Sequence, residues 1–269
     1  MKTCKNLALL TAFFFGSLAL HAQTQEPTFF IVETMKTMPG KAADYVKTER
    51  EVWKKLHQER IKRGLIQSWN LYEVRYPSGT NVAYDYVTVT QVRGMKGLEN
   101  PWGTMFAEAD KLLSKTELTA AMNIDVLRNL TNSSVYYGTD FAAAKPNATT
   151  PSKYQMVNMM KVKPGGDGAY QAMETKLVKP MHVEMMKTGG RAAWGLYSLV
   201  MPGGENQPFN YVTSDFYDKW EDMNTANDHF AKTLAKVHPG MTSAVYEKRI
   251  TETRALVNQE LWELLDFVR

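Results

Sequence analysis

Hydrophobic positions along this chain change period several times, and each change marks an element. Thr28 to Lys36 (TFFIVETMK) is β-branched and aromatic and runs into Met38-Pro39-Gly40, which predicts a strand ending in a turn. From Lys41 to Arg63 the apolar residues recur at three and four, at 42, 45, 46, 52, 53, 56 and 61, which predicts a helix closed by Gly64. Ile66 to Arg75 and Tyr84 to Val92 read as strands joined through Pro77-Ser78-Gly79. Leu98 to about Leu130 reads as mostly helical with a break near Asn100-Pro101, and Ser133 to Tyr137 as a short strand. The predicted order is β-α-β-β-α-β. Ala142 to Ser152 (AAAKPNATTPS) has the composition of a linker. The same order then returns: strand 154–162, helix 167–188, strands 191–201 and 209–217, a helical stretch 219–236 and a strand near 254–262.

The return is a duplication. With the chain shifted by 125 residues, 20 of the 54 positions from 35 to 88 are identical, with no gap. Tyr45 falls on Tyr170, Glu49 on Glu174, His57 on His182, and Trp69-x-Leu71-Tyr72 on Trp194-x-Leu196-Tyr197. Near the ends, a shift of 126 pairs Arg128 with Arg254 and Asp140 with Asp266. Two long copies predict a duplicated domain, since solenoids need three or more short repeats. The expected organisation is a signal peptide over 1–22, repeat 1 over 23–141, a linker over 142–153 and repeat 2 over 154–269. Pro180 stands where repeat 1 has Lys55, and a kink is expected there.

β-α-β-β-α-β is the ferredoxin-like order, a four-stranded antiparallel sheet with both helices on one face. Phe29 to Val32 and the Met156-Val157 and Met159-Met160 pairs are continuous apolar runs, which suit a sheet covered on both sides. On element order and duplication the chain resembles the dimeric α+β barrel superfamily, in which two ferredoxin-like units close their sheets into one barrel. That superfamily includes the antibiotic-biosynthesis monooxygenases, NIPSNAP-like and EthD-like proteins, and the haem-binding chlorite dismutases and dye-decolorising peroxidases. The resemblance implies an α+β fold of two fused ferredoxin-like units forming a pseudo-symmetric barrel, with the repeats pairing within one chain.

Lys2 and Lys5, the apolar run from Leu7 to Leu20 and the small residue Ala22 predict an export signal, and hence a secreted or periplasmic protein. The 14-residue run is short for a membrane span, so no membrane association is expected after cleavage. Cys4 is the only cysteine, so a mature chain would carry no disulfide, thiolate nucleophile or cysteine-ligated metal. Without Lys2 and Lys5, 30 basic residues face 28 acidic ones, a balance that gives no reason to expect nucleic acid. Sixteen methionines suit adaptable apolar packing, around a core or a ligand.

The candidate chemistry lies on the first helix and the second and third strands of each repeat. Glu49 and Glu174 follow Tyr45 and Tyr170 by four, inside the apolar stripe, where a carboxylate is costly unless paired. Such a group is a candidate general base or a structural hydrogen-bonding partner. His57 and His182 lie eight residues further on, about 80° around the helix and about 12 Å along it. They are candidates for acid–base work or for a satisfied structural role, and the resemblance adds axial ligation of haem. Glu49, Glu174, His57 and His182 form the candidate catalytic set, with a strand tyrosine, Tyr72 or Tyr197, expected beside each glutamate. Trp69 and Tyr72, like Trp194 and Tyr197, are three apart on a strand, so one faces the helices and the other the barrel interior. Tyr86 and Tyr211 complete the candidate ligand-binding aromatics. There is no metal-ligand cluster, P-loop or dinucleotide fingerprint, and no resident cofactor is expected. These features leave three function classes. The first binds a small apolar or aromatic molecule between helices and sheet of each repeat. The second is a cofactor-independent oxygenase or isomerase, with a haem protein as its variant. The third is a structural barrel without a ligand.

Overall fold

The computed structural model describes residues 26–269, so the predicted signal segment and Cys4 lie outside the described residues. Eight strands alternate with helices in two series. The first runs β1 (Thr28–Thr37), α1 (Ala42–Thr48), a π-helical turn (Glu49–Trp53), α2 (Lys54–Lys62), β2 (Ser68–Tyr76), β3 (Tyr86–Arg93), α3 (Gly94–Glu99), α4 (Lys115–Met122) and β4 (Arg128–Ala143). The second runs β5 (Tyr154–Lys161), α5 (Asp167–Met173), a π-helical turn (Glu174–Val178), α6 (Lys179–Lys187), β6 (Ala193–Met201), β7 (Tyr211–Tyr217), α7 (Asp222–Asp228), α8 (Phe230–Val237), α9 (Ser243–Thr253) and β8 (Ala255–Val268).

All pairings are antiparallel, and the strands close into a barrel in the order β1-β3-β2-β8-β5-β7-β6-β4. Each series contributes four adjacent strands in the same order, 4-1-3-2 within the series. Two seams join the series, β2 with β8 and β4 with β6. The fold is thus mixed α+β around an eight-stranded antiparallel barrel, and closure leaves no free sheet edge.

The seams explain why β4 and β8 exceed their expected lengths. β4 pairs with β1 from Arg128 to Tyr137 and with β6 from Val135 to Ala143. β8 pairs with β5 over Ala255–Glu263 and with β2 over Leu261–Val268. The first part of β4, RNLTNSS, lacks apolar alternation because Asn129 to Ser133 are exposed, and ladder hydrogen bonds hold it as strand. β4 also takes the first two residues of the expected linker, Ala142 and Ala143. The helical expectation over 98–130 shrinks to α3 before it, α4 and two single 3₁₀ turns. Ser114 opens α4 with a reciprocal capping box to Glu117. The helix α9 went unforeseen, since only Tyr246 in it is buried.

Side chains separate into a lumen and two outer layers. Tyr72, Val74, Val87, Tyr136, Val157, Met159, Val212 and Trp262 come from both series and pack inside the barrel. Outside it, Tyr45, Trp69, Leu71 and Tyr86 pack beneath the first helices, and Tyr170, Met181, Trp194, Leu196 and Tyr211 beneath the second. Among the described residues no helix is long and apolar enough to cross a membrane.

Candidate functional site

Each first helix widens into a π turn that begins at its buried glutamate, Glu49 or Glu174. The wide turn inserts a residue into the helical ladder and shifts the phase of the next turns, so that both the glutamate and the later histidine point inward. Pro180 does not cause it, because the first series has the same turn with Lys55 at that place. Pro180 instead sits in the first turn of α6, directly after the wide segment, where its missing N–H is tolerated.

Glu49 is 6% exposed and Glu174 1%. Burial pushes each carboxyl up to about 7, against opposing pulls from Tyr45 and Arg128 in one case and from Arg254 and Tyr170 in the other. The tyrosines are fully buried, and their hydroxyls make no hydrogen bond that closes geometrically. Glu174 Oε2 and the Nε atoms of Arg128 and Arg254 are likewise buried without partners. Each glutamate is therefore enclosed by a tyrosine one turn before it and by an arginine at the start of β4 or β8. Tyr72 and Tyr197, expected beside these carboxyls, face the lumen on the other side of the sheet. The arginines were the missed partners, although the 126-residue register that pairs Arg128 with Arg254 pointed to them.

The candidate histidines are enclosed by packed side chains. His57 is 4% exposed, stacks on Trp69 with ring centroids 4.5 Å apart, and meets the Arg60 guanidinium through Nδ1 at 2.8 Å. Arg60 in turn donates to the Pro101 carbonyl at 2.9 Å and lies over the Trp102 ring. His182 stacks on Trp194 at 5.5 Å, and its Nδ1 contacts Arg191, which also donates to Asp215 at 2.5 Å. Burial first, and the neighbouring guanidinium second, lower both imidazoles well below their usual range. With Nδ1 accepting from arginine, each ring is a neutral spacer between tryptophan and guanidinium. The two arginines come from unrelated places, one on α2 and one after α6, so the repeat pattern gave no sign of them. Each imidazole thus turns Nδ1 to an arginine and one face to a tryptophan.

Trp69 and Trp194 are buried under the helices and fill the space around them, while a second cavity of about 870 Å³ opens between α1 and the sheet, lined by Ala42, Val46, Tyr86 and Leu265 among others. Tyr86 packs on Tyr45, with centroids 5.1 Å apart. The Tyr211 hydroxyl donates to Asp167 at 2.8 Å and accepts from Gln171 at 2.9 Å. Tyr86 and Tyr211 thus belong to the outer layers, because residues of one strand at even spacing share a face. Of the aromatic candidates, Tyr72 and Tyr197 reach the barrel lumen. They line a cavity of about 1860 Å³ within the barrel, which extends to the connecting segment 143–153. Its wall mixes apolar groups such as Phe30, Val32, Val89 and Trp262 with Ser68, Asn70, Gln91, Gln155, Ser214 and Glu260.

No protein-family model and no curated protein matches the chain. Solved structures do. A protein assigned as a monooxygenase from Fusobacterium nucleatum subsp. nucleatum ATCC 25586 aligns over 91% of this chain and 94% of its own, with a TM-score of 0.56 and 11% identity. An anthrone oxidase-like protein covers 91% and 94%, with a TM-score of 0.51 and 12% identity. A mutant chlorite dismutase from Candidatus Nitrospira defluvii covers 91% and 94%, with a TM-score of 0.49 and 13% identity. The two alignments with TM-scores above 0.5 show that this chain shares its fold with a protein assigned as a monooxygenase and with an anthrone oxidase-like protein. At these identities the likeness concerns the fold alone.

Proposed function

We propose that this chain is an exported, duplicated α+β barrel whose lumen binds one small, largely aromatic or apolar molecule. The observation that carries the proposal is the cavity of about 1860 Å³ that runs from the interior of the closed strands to the connecting segment. Eight-stranded barrels are wide enough either to fill with side chains or to hold one small ligand, and this lumen is only partly filled. Its wall has the composition of a ligand site, aromatic and aliphatic surface with a few polar groups facing inward. Export rests on Lys2, Lys5 and the apolar run before Ala22. Duplication rests on the shared strand order, on the π turns at Glu49 and Glu174 and on the 125-residue register.

Cofactor-independent oxygenase or isomerase chemistry at Glu49 and Glu174 is the second reading, favoured by carboxyls that titrate near neutrality. It ranks below the lumen because substrate would have to reach groups that are almost fully enclosed. The test is a fluorescence titration with N-phenyl-1-naphthylamine, a neutral aromatic probe, on the intact chain and on Val89→Trp. Val89 lines the lumen, and the larger ring projects into it. The intact chain should enhance the probe's emission saturably, and Val89→Trp, folded by circular dichroism, should weaken binding at least tenfold. Equal binding by both proteins would refute a lumen site.

A further inference from the structure

The two halves of the lumen differ at one matched position. Ser134 lies opposite Val32 and Glu260 opposite Val157, and Val32 and Val157 are themselves 125 residues apart. A carboxylate thus stands on one side of the barrel where the other has a hydroxyl. Glu260 is 5% exposed and lines the cavity. It accepts from the Tyr84 hydroxyl at 2.7 and 2.8 Å, from Trp262 Nε1 at 2.8 Å and from Asn258 Nδ2 at 3.0 Å. All three donors are neutral. Among the described residues no lysine, arginine or histidine comes within 4.0 Å of it. Of the cations on the cavity wall, Lys153 pairs with Glu263 and Arg191 with Asp215, while Lys145 and Arg269 lie beyond 4.0 Å of Glu260.

Three donors nearly fill the roughly four acceptor positions of a carboxylate, so its hydrogen bonding is met while its charge is not. A buried anion of this kind calls for a cation, and among the described residues no side chain supplies one within 4.0 Å. The surroundings are aromatic. Trp262 and Tyr72 lie 5.8 Å apart by centroid, and Tyr84 and Tyr136 complete the neighbourhood. Aromatic faces beside an anion attract an alkylated ammonium group, which carries charge and asks for few hydrogen bonds. We propose that the molecule taken into the lumen is an organic cation, one per chain, its ammonium group lodged between Glu260 and the rings of Tyr84, Tyr136 and Trp262. This rests on the lumen as the binding site and names the class of ligand.

The experiment compares benzyltrimethylammonium with neopentylbenzene, its uncharged isostere, as competitors of N-phenyl-1-naphthylamine. The intact chain should bind the cation more than tenfold tighter, and Glu260→Gln should erase that preference while leaving neopentylbenzene affinity within about twofold. The isostere comparison on the intact chain decides the matter even if Glu260→Gln fails to fold. If the probe binds and both competitors displace it equally, or if the preference survives in Glu260→Gln, the cation assignment is wrong and the lumen site stands. If the probe itself does not bind, the lumen site and the cation assignment fall together.

Discussion

Replacing Glu174 by glutamine should make the protein more stable at neutral and alkaline pH. The carboxyl is held at about 7 in the fold against an ordinary 4.5, with burial as the leading cause. That difference corresponds to about 3 kcal/mol of unfavourable charge burial once the group is ionised in both states. The sign is set by which state ionises first. Below about pH 4.5 the carboxyl is protonated folded and unfolded, and it costs nothing. As pH rises past 4.5 the unfolded chain loses its proton while the fold keeps it, so stability falls. The loss is complete once the folded carboxyl ionises above about 7. Glutamine cannot ionise, keeps the volume, and sets an amide near the unpartnered Tyr170 hydroxyl. Urea unfolding followed by circular dichroism at pH 4, 5, 6, 7 and 8 gives the difference between Glu174→Gln and the intact chain. Taking that difference cancels the titration of His57 and His182, which is common to both proteins. It should be near zero at pH 4 and reach about 3 kcal/mol in the variant's favour at pH 8. Glu49→Gln should behave alike, and the double variant should gain roughly twice as much because the sites lie in different halves. A variant less stable than the intact chain at pH 8 would show that the ionised carboxylate is well paired, and the reasoning would fail.

The two imidazoles are held well below their usual 6.5, so they should stay neutral at that pH, and their ring proton NMR shifts should show no midpoint there. Their stabilising share is lost as pH falls below about 6.5, where the unfolded chain takes up protons first. A midpoint near 6.5 for either ring would contradict the stacked, arginine-bound arrangement. Trp69→Ala and Trp194→Ala should each cost about 3–5 kcal/mol in urea unfolding, since both rings are buried beneath helices. A loss below about 1 kcal/mol would mean that the helix layer is not packed on them. Tyr84→Phe removes a donor to Glu260 and should destabilise by about 1–3 kcal/mol, while cation binding in the lumen persists.

The architecture was legible because duplication and alternation are local properties of sequence. The strand order follows from β-α-β-β-α-β, and the opposite orientation of Trp69 and Tyr72 follows from their three-residue spacing. The features that resisted reading depend on closure. β4 and β8 lengthen because each serves two neighbours, and the polar run RNLTNSS gives no apolar signal of it. The site divided in the same way. Glu49 and Glu174 were recognisable as buried carboxyls from their place in the stripe, but their arginines arrive from strands some eighty residues away. The partners of His57 and His182 share no common pattern, because Arg60 and Arg191 occupy different positions in the two repeats. Glu260 carried no signal at all. It interrupts a strand in one copy where the other has Ser134, and only the closed barrel turns it toward a cavity.

The lumen as the single ligand site is tested most directly by counting. Native mass spectrometry of the purified chain with N-phenyl-1-naphthylamine should reveal one bound molecule at saturation, reduced in Val89→Trp. Two bound molecules per chain, unaffected by Val89→Trp, would place ligands between helices and sheet of each repeat. That result, or no bound molecule at all, would contradict a binding site in the barrel lumen.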